Sequence, residues 1–191
     1  MKKINEIFYS IQGEGFHTGT PAVFVRFSGC NLKCSFCDTK HEEGQFMSDE
    51  EICSEIAKYP AKMVVLTGGE PSLWIDEAFL REVHKVVPYI AIETNGTREL
   101  PSFGIDWITC SPKHGKGSKL RIGSADELKV VYEGQDVSGY LNFPAAHYYL
   151  QPCDIQDEEL NNDNLQMTIK HILDNPIWRL SLQTQKITKV K

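Results

Sequence analysis

The stretch Ala22-Val23-Phe24-Val25-Arg26-Phe27-Ser28-Gly29-Cys30-Asn31-Leu32-Lys33-Cys34-Ser35-Phe36-Cys37 decides the fold. Its first six residues are β-branched, small or aromatic apart from Arg26, which predicts a buried strand. Where the strand stops, residues with chemistry begin. The arrangement repeats along the chain. The apolar run 63–66 leads into Thr67-Gly68-Gly69-Glu70-Pro71, and 89–93 leads into Thr94-Asn95-Gly96. Likewise 107–109 precedes Ser111-Pro112-Lys113, and 147–151 runs into Gln151-Pro152-Cys153-Asp154. Further strands are expected at 5–10, 127–132 and 179–182.

Helical patterns lie between several of these runs. Residues 48–58 open on the capping-box sequence Ser48-Asp49-Glu50-Glu51, and 74–86 and 164–174 carry apolar residues at three and four spacing. The βαβα order predicts an α/β fold with mostly parallel strands. The 191 residues fall short of the roughly 250 of a full eight-fold barrel, so a partial, open TIM-like barrel is expected, as a single domain over residues 1–191. In such a sheet the five loops emerge at one carboxyl-end face, where ligands bind. Residues 111–124, with Gly115, Gly117 and Gly123 among several basic side chains, form the longest expected loop.

A formal net charge of -6 argues against wrapping nucleic acid phosphates and favours small-molecule partners. No run of about 18 apolar residues exists to span a membrane. The start Met1-Lys2-Lys3-Ile4-Asn5-Glu6 turns acidic before a signal peptide could form, so a cytoplasmic protein is expected. Three of the six cysteines crowd into positions 30–37, which in a reducing compartment suggests metal rather than disulfides.

The spacing C-x3-C-x2-C of Cys30, Cys34 and Cys37 offers three soft thiolates on one short loop. A 4Fe-4S cubane held by three cysteines leaves one iron open to a further ligand, which implies chemistry rather than electron storage. The competing reading is a non-catalytic zinc module that recruits Cys53, Cys110, Cys153 or His41 as a fourth ligand. Cys53, beside Ile52 and Ile56 on the apolar side of a helix, reads as core.

With Asp38-Thr39 after the cysteine loop and Thr67-Gly68-Gly69-Glu70 at a strand end, the sequence resembles the radical S-adenosylmethionine (SAM) superfamily. The resemblance implies a partial barrel of the radical SAM type and SAM chelated at the open iron. Glycines at 68 and 69 permit close backbone approach, and Glu70 offers an acceptor for the methionyl ammonium. The amino-terminal Tyr9-Ser10-Ile11-Gln12-Gly13-Glu14-Gly15 and Arg26 narrow the resemblance to the 7-carboxy-7-deazaguanine synthases of queuosine precursor biosynthesis, over nearly the whole chain.

That family resemblance implies conversion of 6-carboxy-5,6,7,8-tetrahydropterin to 7-carboxy-7-deazaguanine with loss of ammonia, dependent on SAM and Mg2+. It implies Ile11, Gln12, Gly13, Arg26 and Thr67 as substrate contacts, with Arg26 gripping the pterin carboxylate, and Thr39 as a magnesium ligand. Phe36, Cys37, Asp38, Gly69, Ser111, Pro112, Lys113, Gln151, Pro152, Cys153 and Asp154 match SAM-binding positions. An electron donor such as flavodoxin or ferredoxin and a homodimer are also implied. Near the carboxyl terminus the family leads us to expect a glutamine-rich strand ending in His-Lys. This sequence reads Gln183-Thr184-Gln185-Lys186, with glutamine where histidine is expected. The nearest rival, a radical SAM activase of a glycyl-radical enzyme, gives no reason for Gln12-Gly13-Glu14-Gly15 or Arg26.

Overall fold

The computed structural model describes residues 1–37, 39, 41–113 and 118–191. The strands are β1 (Lys2–Ile11), β2 (Pro21–Phe27), β3 (Gln45–Met47), β4 (Met63–Gly68), β5 (Tyr89–Thr94), β6 (Trp107–Cys110), β7 (Ala125–Tyr132), β8 (Ala145–Pro152) and β9 (Trp178–Leu180). The helices are α1 (Asp49–Ile56), α2 (Glu77–His84), α3 (Glu158–Asp174) and α4 (Thr184–Thr188). One sheet runs in the order β3-β1-β2-β4-β5-β6-β7-β8-β9. β1 is antiparallel to both neighbours, and every pair from β2 to β9 is parallel. The sheet ends at β3 and β9 without meeting, so the expected open barrel is what forms.

Alternation within each strand sorts the two faces. Val23, Val25, Phe27, Val64, Leu66, Ile90 and Ile92 point outward beneath Ile52, Cys53 and Ile56 of α1 and Phe79, Leu80 and Val83 of α2. Leu128, Val130, Leu150 and Trp178 form a second outer core, with Ile172 of α3 packed against it. The opposite parity is concave: Ala22, Phe24, Met63, Val65 and Ala91 fill its amino-terminal end. Continuing toward the carboxyl ends, the same inner rows become Arg26, Thr67, Glu93, Thr109, Lys129 and Gln151. Apolar residues therefore close the base while polar ones line the mouth.

The segment 12–20 between β1 and β2 folds back into the concave side. Gly15 N donates to Ser181 Oγ at 3.0 Å, Phe16 N to Glu127 Oε2 at 2.8 Å, and Thr184 N to Gly13 O at 3.0 Å. The Phe16 ring stacks on Trp107 and His147, with centroids 4.6 and 4.7 Å apart. This segment plugs the concave side by packing against the inner faces of β6, β7 and β8. Gly15 has φ +65°, and a Cβ there would collide with the Glu127 carboxylate, so only glycine fits.

Element boundaries moved where caps override hydrophobic period. α2 starts at Glu77, not 74, because the Asp76 side chain accepts from Phe79 N. α3 starts at Glu158 because Asp157 caps it through Leu160 N, ahead of the apolar spacing. The short edge strand β3 was not expected; it exists through pairing with the start of β1. The glutamine-rich strand expected near the carboxyl terminus is replaced by helix α4, with Gln183 preceding it. The expected capping box is present: Ser48 Oγ accepts from Glu51 N and Glu51 Oε2 from Ser48 N. Ser48→Ala should therefore lower unfolding free energy by about 1 kcal/mol in urea denaturation.

Candidate active site

A cavity of about 600 Å³ opens at the carboxyl ends of the parallel strands, above the plug. Its lining includes Ile11, Gln12, Gly13, Arg26, Cys30, Cys34, Phe36, Cys37, Thr39, Thr67, Gly69, Ser111, Lys113, Gln151, Pro152, Cys153 and Asp154. One expected position is not part of that wall. Pro112 is buried away from it, and Asp38 lies outside the described residues, as does His114.

The cysteine loop leaves β2 through Gly29, whose φ is +85°. Asn95 anchors it: Nδ2 donates to Asn31 Oδ1 at 3.0 Å and lies 3.9 Å from Cys30 Sγ, while Asn31 Nδ2 donates to Thr97 Oγ1 at 2.7 Å. None of the thiols is in a disulfide. Burial pushes the Cys30 and Cys34 thiols up, and the Lys113 ammonium partly opposes this at Cys34. The three thiols line one cavity. A zinc knuckle draws four ligands onto one ion, whereas a cubane spreads its ligands over separate irons. The donor set fits the cluster. Cys53 and Cys110 are buried in the outer cores, so neither joins it.

Gly68-Gly69-Glu70 joins β4 to the start of that loop. Gly69 N donates to Phe27 O at 3.0 Å and Glu70 N to Gly29 O at 2.9 Å. A Cβ on Gly69 would strike the Gly29 carbonyl. Glu70 corrects the expectation that it meets a ligand ammonium. It is fully buried and absent from the cavity wall, and its carboxylate accepts from Ser72 N (3.1 Å), Thr94 Oγ1 (2.7 Å) and Asn95 N (2.7 Å).

Across the cavity floor, Glu93 accepts from Gln12 Nε2 at 3.1 Å and Thr67 Oγ1 at 2.7 Å, while Gln12 Oε1 accepts from Glu14 N at 3.1 Å. Glu14 is an acceptor for Lys129, for Gln183 Nε2 at 2.9 Å and for Gln185 Nε2 at 3.0 Å. Burial alone would raise the Glu14 pKa; Lys129 and the two amides reverse this and hold it at about 2, against an ordinary 4.5. Lys129 is correspondingly held above its ordinary range, against the pull of burial, by Glu14, Glu93 and Glu127. On the remaining wall Lys113 Nζ donates to Ser111 Oγ at 2.6 Å and lies 5.8 Å from the Phe36 ring centre. Burial pulls the Lys113 ammonium down. Gln151 Oε1 accepts from Ser181 Oγ at 3.1 Å, and Asp154 pairs with Lys186 and Asn161.

A scan against family models matches residues 24–133 to the radical SAM superfamily. Among curated relatives, the 7-carboxy-7-deazaguanine synthase of Bacteroides thetaiotaomicron is 59% identical over 100% of both chains. The chain belongs to the 7-carboxy-7-deazaguanine synthases of the radical SAM superfamily. The synthase of Haemophilus influenzae is 37% identical, with 98% of this chain and 93% of that one covered. The crystal structure of QueE from Escherichia coli superposes with a TM-score of 0.77 at 29% identity, covering 95% of this chain and 93% of that one. Family membership removes the glycyl-radical activase and the zinc module as readings, and carries with it SAM and a 4Fe-4S cluster.

Lys129, central to the floor, was missed from the sequence, as were Glu6, Phe8 and Thr109 on the wall. The signal was available: Lys129 sits in the apolar run of β7 as Arg26 does in β2. Because its folded-state pKa is depressed, Glu14 contributes stability that is complete above pH 4.5 and is lost as the pH falls toward 2. Lys129→Met leaves that carboxylate buried without its ion partner, and should cost about 3–5 kcal/mol at pH 7. The deficit should shrink as pH is lowered toward 2 in urea denaturation, since protonation removes the unpaired charge.

Proposed function

We propose that this cavity converts 6-carboxy-5,6,7,8-tetrahydropterin to 7-carboxy-7-deazaguanine with release of ammonia, using SAM, a 4Fe-4S cluster and Mg2+. The observation that carries the reading is the convergence, on one cavity wall, of the Cys30, Cys34 and Cys37 thiols with Arg26 and the Gln12-Glu93-Thr67 set. A cluster needs soft thiolates, and a carboxylated pterin needs a cationic fork and an edge of donors and acceptors. Both are present within one enclosure.

In this reading Cys30, Cys34 and Cys37 hold the cluster, and Asn95 fixes the loop beside them. When bound, the cluster with SAM would supply the one-electron chemistry needed to abstract a hydrogen atom from the pterin. The chain's own residues bind, orient and shield. The Gly69 backbone, Phe36 and the 151–154 turn contact SAM, with Lys113 held by Ser111 toward its carboxylate or ribose. Gln12 and Thr67 meet the pterin while Glu93 fixes both, and Gly13 and Ile11 border the same edge. Gln185 hydrogen-bonds Glu14 and so retains a polar contact at that position, without the charge a histidine can carry. Thr39, on the wall beside Cys37, offers the hard oxygen that magnesium prefers.

Residues 1–191 are read as one domain, since one continuous sheet involves both ends of the chain. Family membership is the ground for a homodimer, for a donor such as flavodoxin or ferredoxin, and for a cytoplasmic setting. Among the described residues no helix is long and apolar enough to cross a membrane.

Anaerobically reconstituted protein given reductant, SAM, Mg2+ and the carboxylated pterin should yield the deazapurine, followed by mass spectrometry. Cys34→Ala should lose both the brown chromophore and product. SAM cleavage without deazapurine would leave the radical chemistry and remove the pterin assignment. Arg26→Lys should lower kcat/KM by about 10- to 100-fold, the equivalent of one charge-assisted hydrogen bond, because an ammonium lacks the planar fork.

A further inference from the structure

The register between β1 and β2 contains a bulge. Ile4 pairs with Phe27 but Glu6, not Asn5, pairs with Arg26. In a regular strand Ile4 and Ile7 would face opposite ways, yet both pack on the outer core beneath α1 and α2. The extra residue reverses the parity of β1, and so turns Glu6 and Phe8 onto the concave wall with Arg26.

What Glu6 does there is specific in its geometry. Arg26 Nε donates to Glu6 Oε1 at 2.9 Å, a side-on contact. Among the described residues neither terminal amino group of Arg26 has a protein hydrogen-bond partner. The Phe8 ring lies 5.6 Å from the guanidinium carbon. An acceptor on Nε and an aromatic ring together limit how the group can turn, and leave its two-pronged end to the cavity. The second carboxylate oxygen, Oε2, is 2.6 Å from Lys191 Nζ, which lies 4.9 Å from the centre of the same Phe8 ring. Two cations share one carboxylate, so the wall keeps a net positive charge for an incoming anion.

We propose that the β1 bulge and Glu6 form a positioning device for carboxylate recognition, with Glu6 holding Arg26 by Nε so that both terminal amino groups present to the ligand's carboxylate. This rests on the carboxylated-pterin reading above. Glu6 is a positioning residue: it acts through Arg26 and touches no reacting atom.

The test compares two probes, pterin-6-carboxylate and unsubstituted pterin, titrated by fluorescence into the anaerobic holoenzyme with SAM. The wild type should prefer the carboxylated probe. Glu6→Ala should cut that preference about tenfold, the scale of one oriented charge-assisted hydrogen bond, and leave affinity for unsubstituted pterin unchanged. Glu6→Gln, which keeps an acceptor for Nε, should retain most of the preference. Glu6→Ala combined with Arg26→Ala should match Arg26→Ala alone. An unchanged preference in Glu6→Ala, or equal weakening of both probes, would overturn the positioning role alone. A wild type with no preference would overturn the carboxylated-pterin reading and this proposal with it.

Discussion

The carboxylate of Glu70 is the constraint on which the carboxyl-end rim depends. It is fully buried, and three donors meet it: the Ser72 amide, the Thr94 hydroxyl and the Asn95 amide. Its own backbone donates to Gly29 O, so one residue joins the ends of β4 and β5 to the root of the cysteine loop. A buried carboxylate is tolerated only when its oxygens are satisfied, and removing it would strand several buried donors at once. Asn95 carries the connection onward to Asn31 and Cys30. The thiols stand where they do because a polar knot beneath them has one satisfied arrangement.

A second constraint comes from the open sheet. A barrel that does not close must cover its inner face by other means, and here the 12–20 segment does so. It brings Gln12 and Glu14 into the interior, where they meet Glu93 of β5 and Lys129 of β7, the strands on either side of β6. The plug therefore completes both the fold and the cavity floor. Its cost is a buried ion pair, which low exposure makes strong when paired and expensive when broken. The glutamines from the carboxyl-terminal segment finish the hydrogen bonding of Glu14, so the two ends of the chain meet at the floor.

Most of the scaffold could be read from local pattern. Short apolar runs rich in β-branched and aromatic residues located β2, β4 and β5 within a residue or two, and the Ser48 capping box marked the start of α1. Where it went astray, a competing local interaction had won, as with the Asp76 and Asp157 caps. Strand β3 and helix α4 are short enough that pattern alone carries no signal, and each owes its form to neighbours. At the site, glycines and cysteines announced themselves because their chemistry is local. Glu70 misled for the same reason: its position beside Gly69 suggested a ligand contact, while two of its three donors, Thr94 and Asn95, come from the end of another strand.

What the sequence determined by itself was the class of fold, the cysteine loop and the placement of chemistry at strand ends, because period, spacing and glycine freedom act over a few residues. The tertiary structure decided which polar side chains face the cavity and what each one touches. Glu6 reaches Arg26 only through a bulge, Lys129 meets Glu14 across 115 positions of chain, and Gln185 meets Glu14 across 171. Those pairings follow from strand register and from the burial of charge, neither of which is fixed until the sheet has assembled.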